Sequence, residues 1–307
     1  MRVVFFGTPL FAVSSLTALL ESGEEIIAVV TQPDQRKGRD RTLSPPPVKE
    51  LALSNGVRVL QPKSLKDPLF LCDLDHLNPD MIVVVAYGKI LPPQVLELPR
   101  YGCINVHASL LPKYRGAAPI QWAIIKGEKK TGITTMMMDE GLDTGDMLLQ
   151  EETQIDDSDN SETLGKRLAG IGGSLLIKTV QGIKEGSIRP APQTGIPSYA
   201  PPLKREDGRI DWAYTAIDIF NFVRGMYPWP SAYCYLNQER IKITHVKALE
   251  GHSIAGSVEK TDEELVVGTG KGLISITELQ PEGKRLMSAE DFLRGRKLKK
   301  GAFFDGP

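Results

Sequence analysis

Short runs of Val, Ile and Phe recur at residues 2 to 6, 26 to 30 and 81 to 85, each bounded by turn-forming residues. Between them lie stretches of helical length, 10 to 21, 47 to 54 and 64 to 77. Such runs suit strands buried on both faces, and their alternation with helical segments predicts βαβ units in an α/β, Rossmann-like, mainly parallel sheet covered by helices. Ligands of such a sheet lie beyond the carboxyl ends of its strands, so functional residues are expected just after them.

The pattern then changes twice. Residues 102 to 107 read as another strand, 131 to 138 and 147 to 154 have β character, and Asp159-Asn160-Ser161-Glu162 resembles a capping box opening a helix to about 185. Pro190, Pro192, Pro197, Pro201 and Pro202 follow, which preclude a long helix and favour extended chain. Beyond them a helical pattern at 214 to 226 precedes β-type segments near 232 to 236, 241 to 248, 254 to 260, 264 to 268 and 273 to 279. That spacing predicts a small OB-like β-barrel of the five-stranded, partly open type. The expected organisation is a catalytic domain over 1–188, a linker over 189–206 and a barrel domain over 207–307, in keeping with a chain of 307 residues.

Composition narrows the function classes. A formal net charge of -1 with 24% charged residues describes a soluble globular protein, not a uniformly basic nucleic-acid coat, so a polyanionic partner must be met by local patches. Three cysteines without a CxxC pair, Cys72, Cys103 and Cys234, fit reduced thiols in a cytoplasmic protein. The apolar start breaks at Gly7-Thr8-Pro9, too early for a signal segment, and no run approaches the length of a membrane span. We therefore expect no membrane partner, and a monomer.

Several polar segments are candidates for chemistry. Phe6-Gly7-Thr8-Pro9 stands where a dinucleotide fingerprint would lie but lacks GxGxxG, which disfavours a nicotinamide site. It reads either as a tight turn or as a lining of the substrate cleft. Asn105-Val106-His107 closes a strand, where alternate residues share a face, so an amide and an imidazole project together at the catalytic edge. Asp139 to Asp146 is an acidic, glycine-rich turn between two β segments without the ligand spacing of a calcium loop. The four histidines, His76, His107, His245 and His252, lack metal-ligand spacing, so no metal is expected. Met136 to Met138 read as core packing, Trp212 and Trp229 as anchors of the second domain, and His245 and His252 as surface or barrel residues.

Taken together, Asn105-Val106-His107, Ser109-Leu110-Leu111-Pro112 and Leu142-Asp143-Thr144-Gly145 resemble the ordered motifs of the folate-dependent formyltransferases. The likeness extends through Ala86-Tyr87-Gly88-Lys89-Ile90-Leu91 to Pro228-Trp229-Pro230. It implies catalysis by Asn105, His107 and Asp143, with 10-formyltetrahydrofolate as donor. It also implies a pterin held partly by backbone around Ala86, Tyr87, Gly88, Ile90 and Leu91 and around Ser109, Leu110, Leu111 and Pro112. In such a reaction Asn105 and a protonated His107 would serve the developing oxyanion, while Asp143 would favour the imidazolium and move the proton.

Within that family the two-domain length, a basic insert after the second strand and the Phe292-Leu293-Arg294-Gly295-Arg296-Lys297-Leu298 ending most resemble the members whose acceptor is the α-amino group of methionyl-initiator-tRNA. The insert, 31 to 47, carries Arg36, Lys37, Arg39 and Arg41, and by this resemblance enters the acceptor stem with Arg39 as its key residue. Lys284, Arg285, Arg294, Arg296, Lys297, Lys299 and Lys300 would offer a track for RNA phosphates. The rival acceptor is a sugar-nucleotide amine or another small amine, which would need neither feature.

Overall fold

The computed structural model describes residues 1–37, 42–260, 264–296 and 298–304. In chain order its first elements are β1 (Arg2–Gly7), α1 (Leu10–Glu21), β2 (Glu25–Val30), β3 (Gln35–Lys37), β4 (Thr42–Ser44), α2 (Pro47–Ser54), β5 (Val59–Leu60), α3 (Pro68–Leu77) and β6 (Met81–Val85). Then come α4 (Pro93–Leu96), β7 (Cys103–His107), β8 (Arg115–Gly116), α5 (Pro119–Ile125), β9 (Lys130–Met137), β10 (Met147–Gln154), α6 (Ser161–Glu185) and β11 (Tyr199–Ala200). The remainder is α7 (Ala216–Met226), β12 (Ala232–Leu236), β13 (Glu239–Leu249), β14 (Val258–Lys260), β15 (Leu265–Gly268), β16 (Leu273–Pro281), β17 (Met287–Ser288) and α8 (Ala289–Arg294).

Two compact units result. The first comprises Met1–Pro119, Lys130–Gln154 and Gly165–Ala200; the second comprises Ile120–Lys129, Ile155–Leu164 and Pro201–Pro307. Among the described residues no helix is long and apolar enough to cross a membrane.

In the first unit the seven-stranded sheet runs β10-β9-β7-β6-β1-β2-β5. The apolar runs form its parallel centre: β1 pairs in parallel with β2 and β6, and β6 with β7, while β9 and β10 add an antiparallel edge. Val4, Phe6, Val30, Ile82 and Val84 on one face and Val3, Phe5, Val29, Met81 and Val83 on the other are all buried, as a sheet covered by helices requires. Helix α6 packs so closely that a Cβ at Gly173 would stand 3.0 Å from the Ser14 carbonyl oxygen of α1. At its start the Asn160 Oδ1 accepts from the Glu162 and Thr163 amides at 2.9 and 3.0 Å, so the expected capping signal is used, with Asn160 as the cap.

The expected helix over 64 to 77 begins only at Pro68. A residue before proline is driven out of the α region, and Asp67, at φ -65° and ψ 123°, instead caps the helix by accepting from the Leu69 amide at 3.1 Å. The 31 to 47 insert is not wholly irregular, because β3 and β4 pair as an antiparallel hairpin, Gln35 opposite Ser44.

In the second unit the antiparallel sheet runs β12-β13-β16-β15-β14, with β17 on β16. Register shifts between Ile243 and Val246 bend β13, and among the described residues β12 and β14 do not pair, which leaves a curled, partly open barrel. Its core is Ile241, Ile243, Leu265, Val267, Ile274 and Ile276, with Ile219 and Val223 of α7 also buried. Trp212 is buried as expected, whereas Trp229 is 53% exposed. It lies in Tyr227-Pro228-Trp229-Pro230, between the exposed Pro228 and the buried Pro230.

Candidate active site

The strand period brings Asn105 and His107 to one face of β7, at the carboxyl end of the sheet, and His107 is buried. Asp143 reaches them from the turn after β9. Its Oδ1 accepts from Asn105 Nδ2 at 3.3 Å, its Oδ2 accepts from the Gly116 amide at 2.7 Å, and Oδ2 stands 3.6 Å from His107 Nδ1. His107 Nε2 lies 2.9 Å from the Tyr114 carbonyl oxygen, which can only accept, so this nitrogen carries a proton. The Nδ1 contact is an ion-pair distance, attractive only when the ring carries its second proton there. The arrangement therefore fixes the plane of the ring and directs Nε2–H to the backbone.

The turn that delivers Asp143 is built for close approach. Asp143 has φ +53°, a left-handed conformation that aspartate tolerates better than most residues. A Cβ at Gly145 would lie 1.9 Å from the Met137 carbonyl oxygen, so only glycine fits there. Asp139 holds the start of the turn, accepting from the Gly141 amide at 3.0 Å and from Thr144 Oγ1 at 2.7 Å.

Sequence reasoning missed the residues that hold this turn in place. Gln193 Nε2 donates to the Asp143 and Gly145 carbonyls, each at 2.8 Å, and its Oε1 accepts from Arg115 Nε and Nη2 at 3.1 and 2.7 Å. The same stretch supplies Ser198, whose Oγ accepts from the Tyr114 amide at 2.9 Å, and β11, which pairs in parallel with β8. This stretch thus falls within the Gly165–Ala200 part of the first unit. No periodicity or motif spacing marks Gln193, which stands one residue after Pro192 in a proline-rich segment.

The two segments expected around a pterin flank the trio. Val84 pairs with Asn105, so the chain after β6 leaves the sheet beside His107. There Ala86 and Gly88 are exposed and take φ +46° and +83°, and nothing lies within 4 Å of a Cβ built at Gly88. Tyr87 turns inward, edge-on to Phe6 at 5.2 Å, and burial pushes its phenol up to about 12. Leu91 is buried while Ile90 is 80% exposed. On the other side Ser109 and Leu111 are buried and Leu110 and Pro112 half-buried. Thr134 Oγ1 donates to the Ser109 carbonyl at 2.7 Å and accepts from the Leu111 amide at 3.1 Å. Open, left-handed backbone on one side and a pinned loop on the other suit a flat heterocycle read by main-chain groups.

Of the basic insert, Arg36 is exposed on β3, opposite Leu43, and the Lys37 backbone pairs with Thr42; Arg39 and Arg41 lie outside the described residues. The C-terminal cations divide. Lys284, Arg285 and Lys299 are exposed, whereas Arg294 bonds Glu290 and Asp291, Arg296 Nη2 bonds Glu239 Oε1 at 2.7 Å, and Lys300 faces Glu259 at 3.4 Å. Lys297 lies outside the described residues.

Comparison with known proteins accounts for both units. Residues 1–180 match the family model described as formyl transferase, and residues 202–297 match that of the formyl transferase C-terminal domain. The chain is 54% identical over 299 residues to a methionyl-tRNA formyltransferase of Thermodesulfovibrio yellowstonii, covering 97% of each protein. It is 54% identical over 305 residues to one of Pelotomaculum thermopropionicum, covering 98% of this chain and 97% of that protein.

Among solved structures the fold is similar to WlaRD, a sugar 3N-formyl transferase crystallised with dTDP and 5-N-formyl-THF. There the TM-score is 0.69 at 22% identity, over 93% of this chain and 99% of that one. It is also similar to a methionyl-tRNA formyltransferase from Clostridium thermocellum, with TM-score 0.56 at 17% identity over 80% and 93% of the two chains. HypX from Aquifex aeolicus, solved with tetrahydrofolic acid, gives TM-score 0.66 at 17% identity over 95% of this chain, which spans about half, 47%, of HypX. The two matched domains and the near-full-length relatives establish that this chain belongs to the formyltransferase family, grouped by sequence with its methionyl-tRNA members.

Proposed function

We propose that this protein transfers the formyl group of 10-formyltetrahydrofolate to the α-amino group of methionyl-initiator-tRNA, with Asn105, His107 and Asp143 carrying the chemistry. The observation that carries this reading is the convergence of those three side chains at the carboxyl edge of the sheet, in a chain 54% identical to methionyl-tRNA formyltransferases. The folate supplies a formyl carbon bonded to a nitrogen leaving group. The acceptor amine bonds that carbon, the carbon–nitrogen bond to folate breaks, one proton leaves the amine and one reaches the leaving nitrogen. The exposed backbone of Ala86 and Gly88 and the loop of Ser109, Leu110, Leu111 and Pro112, with Tyr87, Ile90 and Leu91, would hold the pterin.

Asn105 gives one N–H to Asp143, and its second has no partner among the described residues, so it is the donor left for a developing oxyanion. His107 gives Nε2–H to Tyr114, which leaves Nδ1 and the Asp143 carboxylate as the pair that can take up and return the proton. This shifts His107 from the expected oxyanion donor towards proton traffic. No metal enters the scheme.

Arg36, Lys37, Arg39 and Arg41 of the insert, with Lys284, Arg285 and Lys299, would meet the RNA. The reading places the enzyme in the cytoplasm, where its free thiols remain reduced, and as a monomer. The test is formyl transfer from 10-formyltetrahydrofolate to methionyl-tRNA measured beside a sugar-nucleotide amine. Product is expected on the charged tRNA alone, and product only on the sugar amine would overturn the assignment of the acceptor.

A further inference from the structure

Gln193 uses its whole hydrogen-bonding capacity on the two loops that define the trio. Both amide N–H groups go to the turn bearing Asp143, to the Asp143 carbonyl itself and to that of Gly145. Its oxygen takes two N–H groups of Arg115. Arg115 stands between Tyr114, whose carbonyl receives the His107 proton, and Gly116, whose amide holds the Asp143 carboxylate. One side chain thus joins the segment that orients the ring to the segment that delivers the carboxylate.

Asp143 needs such a hold. Its left-handed backbone is less favourable than the alternatives open to a free turn, so the position of its carboxylate depends on restraint from outside the turn. Its side chain also stands at a distance from Nδ1 where a small displacement decides between contact and none. We propose that Gln193 is a positioning residue for formyl transfer, fixing the Asp143 carboxylate against His107 by gripping the backbone of its turn. This rests on the reading of Asn105, His107 and Asp143 as the catalytic groups.

Two substitutions separate this role from general support. Gln193→Met keeps the length and drops all four hydrogen bonds. Gln193→Glu keeps an acceptor for Arg115 but sets a carboxylate against two carbonyl oxygens. Both are expected to lower kcat about 10- to 100-fold, as loss of near-attack geometry does, with KM for each substrate changed by no more than about twofold. Combined with Asp143→Asn, Gln193→Met should lower kcat by no more than about threefold further, because both changes act on one group.

Arg115→Met leaves the two donations to the Asp143 turn intact and should cost less than about tenfold. Undiminished kcat in either Gln193 variant, a rise in KM alone, a full multiplicative loss on the Asp143→Asn background, or a larger loss in Arg115→Met than in the Gln193 variants would overturn the proposal. If the unaltered protein formylates no acceptor, it is the reaction assignment that fails; if it is active and the variants are equally active, it is the role of Gln193.

Discussion

His107 and Arg224 are both polar, ionisable and almost equally hidden, 6% and 7% exposed, yet their surroundings differ in kind. Arg224, on α7 of the second unit, donates through Nη1 to the Asp156 and Asp159 carbonyls at 2.7 and 3.2 Å and through Nε and Nη2 to Asn221 Oδ1 at 3.1 and 2.8 Å. Its guanidinium also lies over the Phe220 ring at 5.1 Å. Burial lowers its pKa, opposed by the nearby Asp157 and Asp159. These contacts use four of the five guanidinium N–H groups. At the end of β7, by contrast, the ring is held at one nitrogen, the carboxylate waits at 3.6 Å, and an Asn105 N–H is left over. Burial alone therefore does not separate the two: Arg224 is bonded through all three of its guanidinium nitrogens, whereas His107 is bonded at one nitrogen and faces a carboxylate with the other.

The contrast can be broken by substitution, the largest effect first. Asp143→Asn keeps the shape of the turn and removes the charge facing His107. It is expected to reduce kcat by about 10²- to 10⁴-fold with little change in thermal midpoint. A steady-state assay beside a melting curve checks this, and a large fall in midpoint with normal kcat would reverse the comparison.

Arg224→Met should do the opposite, lowering unfolding free energy by about 3 kcal/mol because the carbonyls around it lose their donor, while kcat per folded molecule holds. Denaturant unfolding with active-site titration measures both quantities.

The smallest effect concerns Glu24, whose carboxylate pairs with Lys184 Nζ at 2.8 Å and with the Met1 amino group. Burial alone would raise its pKa, but these hydrogen bonds and charges together hold it below the usual 4.5. A depressed carboxylate contributes stability above its unfolded pKa and loses it as pH falls through the folded one. Glu24→Gln should therefore lower the midpoint by about 2 °C or less at pH 7. The difference from the unaltered protein should disappear on acidification below 4.5, and a difference that grew there would contradict the assigned sign.

What could be read from the chain depended on how local its cause was. The runs that became β1, β2 and β6 were legible because both faces of a central strand demand apolar residues, and Asn105 and His107 because a strand shows alternate residues on one side. The Asp143 turn was legible as a motif, but its contact with a strand 38 residues earlier came only through resemblance. β8 and β11 are two residues each, too short for any period to register, and their pairing spans more than 80 residues. β3 and β4 are mostly polar, without alternation, so no strand period marks them within the insert. α5 escaped because it is a short helix opening at Pro119, just after Gly116-Ala117-Ala118, a segment that reads as loop. Gln193 was hidden for the same reason as β11: its partners are fixed by tertiary structure.

The pairing of β11 with β8 also decides where this chain can be cut. A fragment ending at residue 188 would retain Asn105, His107 and Asp143 while discarding Gln193, Ser198 and the strand that backs Arg115 and Gly116. One ending at Ala200 would keep them all. On the proposed reading, a segment grafted onto another scaffold would have to extend through the proline-rich stretch, because a boundary at the end of α6 would keep the three side chains and drop the contacts that hold the Asp143 turn.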